Sequence, residues 1–380
     1  MLDVVWDMET HDPDDFLTLL LLLGHPGVRL RAVTVTPGTP QQIGHVRRAL
    51  SWFNADIPVG AHNLSHPGEC VSSWHVRAYG PVPPSWEAEP GDEVLLRCCD
   101  EDTTLITGGP LKNLGRALQH EGFRLGRLVA QGGFAGEGVV PPEHQLDKFR
   151  GMITCPTYNL NGDPRSTLAA LADDRIGERM FVSKNVCHKV VYDEALHHQV
   201  AERRHRSPSL ERIWHGMEIY LRKQRDKIPT QLPVNEAIEA HTVVLIDAHG
   251  ANLGPIGRAE ALAQAQQAGL DLCVVRDYDD PPVCKIMRAP TPSEATPYGK
   301  RLHDPLAACC AIDPGVGTWA EVRLFRRKGK WGSELASGTH TRIIIAYDHQ
   351  RFVEVFTASG APATGPGSPE IRPGSDDSDP

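Results

Sequence analysis

The stretch LDVVWDMETHDPDD, residues 2–15, places an acidic segment directly after an apolar one. Residues 2–6 are rich in β-branched and aromatic side chains and predict a buried strand. Asp12 and Pro13 are a typical N-cap and first-turn pair, so we expect a helix from residue 14 to about residue 23. The acids therefore stand at the carboxyl end of a strand, where α/β sheets bind ligands.

The same alternation of strand and helix patterns continues through the first half of the chain. Strands are expected at residues 28–35, 104–106 and 128–131, and helices at residues 41–53 and 111–118. This order predicts an α/β fold with a mainly parallel sheet flanked by helices.

The composition is that of an ordinary soluble protein. The 380 residues carry a formal charge of −9, which argues against a general nucleic-acid coat protein. The apolar run at residues 16–23 is too short to span a bilayer, so no membrane association is expected. The nine cysteines form no C-x-x-C pair, and the N-terminus shows no secretory signal. We expect reduced thiols and a cytoplasmic location.

Residues 7–15 hold five acids in nine positions. Like charges this close are costly unless water or a cation neutralises them. A hard cation with oxygen ligands such as Ca²⁺ is one interpretation. A solvated helix start, with acids favoured by the helix dipole, is the other, and the cluster alone leaves both open.

Further motifs follow along the chain, at residues 31–38, 105–113, 185–190 and 303–307. The last reads HDPLA, and residues 105–113 read LITGGPLKN. Taken in order with residues 7–15, these segments resemble the motifs of the nucleoside hydrolase family of the inosine-uridine-preferring type. The resemblance implies that family's fold and Ca²⁺-dependent hydrolysis of an N-ribosyl bond, with attack at C1′ through an oxocarbenium-like state.

The resemblance also implies a metal site. Glu9 matches the acid that both binds the metal and takes the proton from the calcium-bound water. The implied Ca²⁺ ligands are Asp7, Glu9, Asp15, Asp304 and the backbone carbonyl of Thr107.

Other positions are expected to handle the substrate. Asp14 matches a residue that holds the ribose hydroxyls during catalysis, and His303 is placed to protonate or orient the leaving base. A packed helix-cap histidine is the alternative for His303.

Asn159 and Thr157 match the family's E-F-N segment, with Thr157 in place of Glu. Trp214, on a helix expected from residue 210 to 227, is a candidate pocket residue, although core packing is the commoner role of such a stripe.

Some departures concern the sugar side of the expected site. No Asn is present near Gly38 and Thr39, and Gly138 stands where the family has a ribose-contacting Asn. We therefore expect an unusual nucleoside, a nucleotide or a modified sugar as the small-molecule substrate. A biosynthetic enzyme acting on a nucleoside-like intermediate is an alternative, as is a protein that has lost hydrolysis.

Residues 235–287 carry the motifs NEAI and PPVCKIM and resemble the N-terminal domain of bacterial translation initiation factor three. A strand at 242–247, a helix at 258–268 and a strand at 272–275 predict a compact βαβ-type unit. Three basic and eight acidic residues between positions 233 and 287 give a net charge of −5. Phosphate binding needs clustered basic residues, which this segment lacks. A non-catalytic protein that binds the ribosome or RNA through the segment is therefore the less favoured alternative. A role of the segment as a lid over the site or in forming a homo-oligomer is preferred.

These features predict three regions. A discontinuous nucleoside-hydrolase-like domain takes residues 1–230 and 298–357, and a small inserted α+β domain takes residues 233–290. Residues 358–380 are rich in Gly, Pro, Ser and Asp and predict a disordered tail.

Overall fold

The structure, a computed structural model, describes residues 1–225, 233–276, 281–289 and 299–358. The predicted disordered tail lies outside the described residues except for Ala358. Backbone contacts divide the chain into two units. The first contains residues 1–190 and 198–215 and continues from Leu302, and the second contains Val191–His197 and Gly216–Arg301. The second unit thus extends beyond residues 233–290 on both sides.

The elements of the first half follow in chain order. They are β1 Leu2–Met8, α1 Pro13–Gly24, β2 Val28–Val35, α2 Pro40–Trp52, β3 Val59–Ala61, α3 Ser73–Tyr79, β4 Glu89–Pro90, α4 Gly91–Cys98, β5 Thr104–Thr107, α5 Lys112–Ala117, β6 Leu125–Gln131, β7 Thr154–Cys155, α6 Tyr158–Gly162, α7 Pro164–Ala172, β8 Ile176–Val182 and α8 Lys184–Cys187.

The remaining elements follow on from α8. They are β9 Val191–Tyr192, α9 Glu194–Arg203, α10 Pro208–Arg225, β10 Thr242–Ile246, β11 Asn252–Gly257, α11 Arg258–Gln267, β12 Asp271–Arg276, β13 Val283–Met287, β14 Lys300–Arg301, α12 His303–Ile312, β15 Gly317–Arg327, β16 Lys330–Leu335, β17 Thr341–Tyr347 and α13 His349–Phe356. Single turns of 3-10 helix lie at Pro142–His144, Asp147–Phe149, Arg204–Arg206, Asn235–Ala237 and Pro314–Val316.

The first unit is built on one large sheet. Its strand order, in the part of the chain that the structure describes, is β4-β3-β2-β1-β5-β6-β8-β17-β15-β16-β7. Strands β4 to β17 in this order are parallel, and β15, β16 and β7 add to the edge in antiparallel pairs. The predicted mainly parallel sheet with flanking helices is confirmed.

The opening strand and helix explain the position of the acids. Val4 to Met8 are fully buried because β1 lies between β2 and β5 in the sheet. Helix α1 starts with Pro13 in its first turn, and its apolar residues 16–22 are all buried. It is a buried helix, as expected from its length and sequence. Residues 9–12 are the short connection between β1 and α1, so the acids on both sides of it are held close together.

The second unit has a four-stranded sheet of its own, in the order β11-β10-β13-β12. Its core is formed by apolar residues of α11 and the strands, including Val243, Leu245, Ala261 and Leu272. The predicted βαβ arrangement was incomplete. Strand β13 pairs in parallel with β10 and separates it from β12, and β11 forms a hairpin with β10. The α+β class is confirmed.

Two further features of the described residues are the state of the cysteines and the apolarity of the helices. All nine cysteines are described, and each is a buried free thiol. Within the described residues, no helix has both the length and the apolarity needed to cross a bilayer.

The burial of α1 yields a stability prediction. Leu20→Ala removes a fully buried side chain, so we expect a loss of about 2–5 kcal/mol in the free energy of unfolding. Leu168→Ala is the matched control, because Leu168 lies on α7 with its side chain exposed, and we expect a change within about 0.5 kcal/mol. Urea denaturation followed by tryptophan fluorescence measures both. Equal losses in the two variants would contradict the packing described here.

Candidate active site at the carboxyl end of the sheet

Asp7 is the acid that the sheet itself holds in place. It is 0 % exposed, and its Oδ1 accepts hydrogen bonds from Thr34 Oγ1 at 2.6 Å and Asn113 Nδ2 at 2.8 Å. Its Oδ2 is buried and has no hydrogen-bond partner among the described residues. Burial raises the pKa of Asp7 to about 6, against the two hydrogen bonds that lower it. The carboxylate is thus held by one oxygen, and the other is left for a further ligand.

Three further acids, from the two ends of the first unit's sequence, lie close to one another. One carboxylate oxygen from each of Asp14, Asp15 and Asp304 lies within 4.8 Å of the others, and all three residues are buried. The Oδ2 atom of Asp14 accepts the backbone N–H groups of His303 at 2.9 Å and Asp304 at 3.4 Å. Asp14 therefore joins the first turn of α1 to the first turn of α12, a favourable place for an anion.

Glu9 connects this group to the loop after β1. Its backbone N–H donates to Asp15 Oδ1 at 2.9 Å. Burial, followed by the charge of Asp14, raises the pKa of Glu9 to about 7, with Lys112 acting in the opposite direction. Burial and the charge of Asp304 raise the pKa of Asp15 well above its ordinary value. Burial and neighbouring carboxylates thus both disfavour negative charge on Glu9 and Asp15.

The turn after β5 passes close to the acids because it lacks side chains. A Cβ on Gly108 would lie 2.5 Å from Trp6 Cη2 and 2.9 Å from Asp304 Cγ. Its N–H donates to the backbone carbonyl of Asp7 at 2.9 Å. Thr107 is opposite Asp7 in the parallel register, and its buried Oγ1 makes no hydrogen bond among the described residues.

The donor set fits a hard cation. Calcium takes six to eight oxygen ligands in irregular geometry, and carboxylates and carbonyls are its usual protein ligands. The buried Asp7 Oδ2 and the raised pKa values of Asp7, Glu9 and Asp15 are what such an ion would relieve. Of the predicted ligands, the structure brings Asp15 and Asp304 together, with Asp14 as the third carboxylate, while the part of Asp7, Glu9 and Thr107 in holding an ion stays a prediction.

Asn159 borders the same turn. Its Nδ2 donates to the backbone carbonyl of Gly108 at 2.8 Å and to Gln131 Oε1 at 2.7 Å. Thr157, two residues earlier, is buried, and its Oγ1 has no hydrogen-bond partner in the described chain. Tyr158 between them is exposed, and the charge of Glu9 raises the pKa of its phenol. The segment that carries the predicted Asn159 and Thr157 therefore lies beside the acids.

His303 forms a second group with side chains that follow β8. Its ring lies 5.3 Å from that of His188, centroid to centroid, and its Nδ1 lies 3.7 Å from Cys187 Sγ. Gln131 Nε2 donates to the same sulfur at 3.5 Å. His303 is half-buried and is the first residue of α12. It directly precedes the ligand candidate Asp304 in the chain.

Trp214 has a packing contact. The guanidinium carbon of Arg204 lies 3.7 Å from its ring centroid. Trp214 is half-buried on α10. Its predicted contact with the substrate stays a prediction.

The two positions without the family's Asn differ in their surroundings. The loop at Gly38 and Thr39 is held by the buried side chain of Gln42, whose Oε1 accepts both backbone N–H groups at 2.9 Å. Gly138 instead lines a cavity of about 730 Å³ together with Glu137 and Arg150. Gly138, where the family has Asn, therefore borders open space.

Comparison with solved structures gives the fold. The chain superposes on a plant nucleoside hydrolase, PpNRh1, with a TM-score of 0.57 and 15 % identity, over 94 % of this chain and 98 % of that one. The inosine-uridine preferring nucleoside hydrolase from Bacillus anthracis gives 0.55 and 17 %, over 94 % and 98 %. A purine-preferring ribonucleoside hydrolase from Gardnerella vaginalis gives 0.55 and 14 %, over 94 % and 97 %. The chain has the nucleoside hydrolase fold.

The inserted segment is similar to a different family. Residues 234–290 match the N-terminal domain of translation initiation factor IF-3. The chain is 45 % identical over 64 residues to the factor from Nitratidesulfovibrio vulgaris and 48 % identical over 58 residues to that from Prochlorococcus marinus. These matches cover 17 % and 15 % of this chain, and 36 % and 29 % of the two factors, so about a third of the relatives' length is represented.

On the nucleoside hydrolase fold, three polar residues support the site without having been predicted. Thr34 and Asn113 hold Asp7, and Gln131 holds Asn159 and contacts Cys187. Asn113 ends the predicted GGPLKN motif, and Thr34 and Gln131 stand at or near the carboxyl ends of predicted strands. Their position at the ends of strands was therefore a signal in the sequence that these residues lie near the site. Which side chains they contact depends on the order of the strands in the sheet.

The buried Asp7 yields a prediction of pH dependence. Its pKa of about 6 exceeds the unfolded value of about 3.9, so the folded state binds more protons between these values. In a chelator, the free energy of unfolding should therefore fall as pH rises from about 4 to 7. Asp7→Asn keeps an acceptor for Thr34 and Asn113, and should reduce the total fall between pH 4 and pH 7 by about 3 kcal/mol.

Urea denaturation at several pH values measures the effect. Asp102→Asn, which changes an exposed carboxylate, is the control and should keep the parent's slope. A parent slope retained in Asp7→Asn would show that Asp7 is not the group responsible.

Proposed function

We propose that this protein hydrolyses the N-ribosyl bond of a nucleoside or nucleoside-like small molecule and requires Ca²⁺. The observation that carries the proposal is the group of buried acids at the carboxyl end of the sheet in a nucleoside hydrolase fold. The similar structures are named as nucleoside hydrolases, which supports the reaction class.

Asp7, Glu9, Asp15, Asp304 and Thr107 would hold the ion. When bound, Ca²⁺ supplies positive charge that neutralises the buried carboxylates, orients the sugar hydroxyls and makes a water more acidic. Asp7 is already fixed through one oxygen by Thr34 and Asn113, so its other oxygen is preorganised for this role.

Glu9 is the general base. Beside the ion its carboxylate is ionised, and a carboxylate within reach of the attacking water accepts its proton. Its backbone bond to Asp15 fixes the start of its side chain, and it is only half-buried, so a substrate can approach it. The carboxylates around it also favour positive charge developing on the ribosyl ring.

Asp14 and Asn159 position the ribose. The N–H groups of His303 and Asp304 fix one oxygen of Asp14, which orients the other. The Nδ2 of Asn159 is held by Gly108 and Gln131, which orients its Oδ1 as an acceptor. Both groups suit recognition of sugar hydroxyls.

His303 serves the leaving base. It stands directly beside Asp304, and its imidazole is able to donate a proton or hydrogen bond to a departing nitrogen heterocycle. Thr157 and Gly138 stand where the resembling motifs carry larger polar side chains on the sugar side. We therefore propose a substrate whose ribose carries a substituent.

The direct test is release of reducing sugar from a panel of nucleosides, 5′-nucleotides and sugar-modified nucleosides. Hydrolysis should need Ca²⁺ and stop in excess chelator. Glu9→Gln should lower kcat by roughly 10²–10⁴-fold, because it removes the base while retaining shape.

Asp12→Asn is the matched control, since Asp12 belongs to the same acidic stretch but is exposed. Its kcat should stay close to that of the parent. Absence of release from every substrate at saturating Ca²⁺, with folding verified by circular dichroism, would refute the proposed reaction.

A further inference from the structure

Cys187, His188 and His303 bring sulfur and nitrogen donors together beside the acids. One donor atom from each lies within 4.8 Å of the other two. Cys187 ends α8, His188 follows it, and His303 begins α12. Two segments more than a hundred residues apart therefore converge on one point.

The spacing matches a tetrahedral metal site. With a Zn–S bond of about 2.3 Å and a Zn–N bond of about 2.05 Å, ligand atoms at a tetrahedral angle lie about 3.6 Å apart. Cys187 Sγ and His303 Nδ1 are 3.7 Å apart. Cysteine is buried and the two histidines are half-buried, so a fourth position can take water.

The donor types separate this group from the calcium candidates. Thiolate and imidazole select zinc and similar ions, whereas Ca²⁺ takes oxygen ligands. We propose that Cys187, His188 and His303 form a second metal site, which binds Zn²⁺ or a similar divalent ion and thereby inhibits the enzyme. Binding replaces the thiol proton of Cys187, which is released to solvent. The inhibition, but not the binding, rests on the proposed function.

Charges near the site act in both directions. Asp14 and Asp304 lie close enough to act electrostatically on Cys187, and their charge favours a cation there. Lys148 Nζ lies 2.7 Å from His188 Nδ1. A bound cation displaces the exposed Lys148 side chain from this nitrogen, or it binds the other ring nitrogen of His188.

Inhibition follows from the shared histidine. An ion on His303 occupies the ring that the proposed reaction needs for the leaving base. Cys187 also stands where the resembling D-V-T-H-x-V segment has Thr. Cys187→Thr therefore removes the soft ligand with a side chain of similar size.

The test uses Co²⁺ as a spectroscopic substitute, added to the full-length protein in saturating Ca²⁺. We expect one equivalent to produce a thiolate-to-cobalt charge-transfer absorption, which Zn²⁺ then displaces. Cys187→Thr and His188→Gln should lose this absorption. Cys98→Ser should keep it, because Cys98 ends α4 just before the amino end of β5, whereas the proposed site follows the carboxyl end of β8.

Absence of the absorption in the parent protein, or equal absorption in folded Cys187→Thr, would overturn the metal site. This readout does not depend on hydrolysis, so the site and the proposed function can fail separately. Where nucleoside hydrolysis is measured, Cys187→Thr should need at least about 100-fold more Zn²⁺ for half-inhibition. Equal sensitivity of the two proteins would overturn the inhibitory role.

Discussion

The burial of several carboxylates at the end of β1 is the constraint on which the rest of the site depends. Two neighbouring parallel strands place Asp7 where water does not reach it, and the first turn of α1, after the following loop, buries Asp14 and Asp15. Such charges are costly in a medium of low polarity unless a cation or hydrogen bonds compensate them. Two hydrogen bonds compensate Asp7 Oδ1, whereas its buried Oδ2 has no partner among the described residues, which supports the proposed ion.

Asp14 has a structural role as well as the proposed chemical one. It accepts hydrogen bonds from the start of α12, almost three hundred residues further along the chain. This contact sets the position of Asp304 and His303 relative to the first acids. The site therefore needs both α1 and α12 in place, and the inserted segment lies in sequence between the two helices that Asp14 connects.

Much of this arrangement was accessible from sequence because it depends on local signals. Asp12 and Pro13 marked the start of α1, and the HDPLA motif marked His303 and Asp304 as site candidates. Strand β11 was missed because Gly254, Pro255 and Gly257 weaken the strand pattern. The contact between Cys187 and His303 could not be predicted, since it depends on the distance between segments that only the folded chain defines.

Calorimetric titration of Ca²⁺ into chelator-treated protein tests the proposed calcium site. We expect one binding event in the parent protein, and Asp12→Asn should keep it. Asp15→Asn and Asp7→Asn should lose this event, because each removes a buried carboxylate proposed as a ligand. Failure of the parent to bind Ca²⁺, or unchanged binding in both buried-acid variants, would contradict the calcium site.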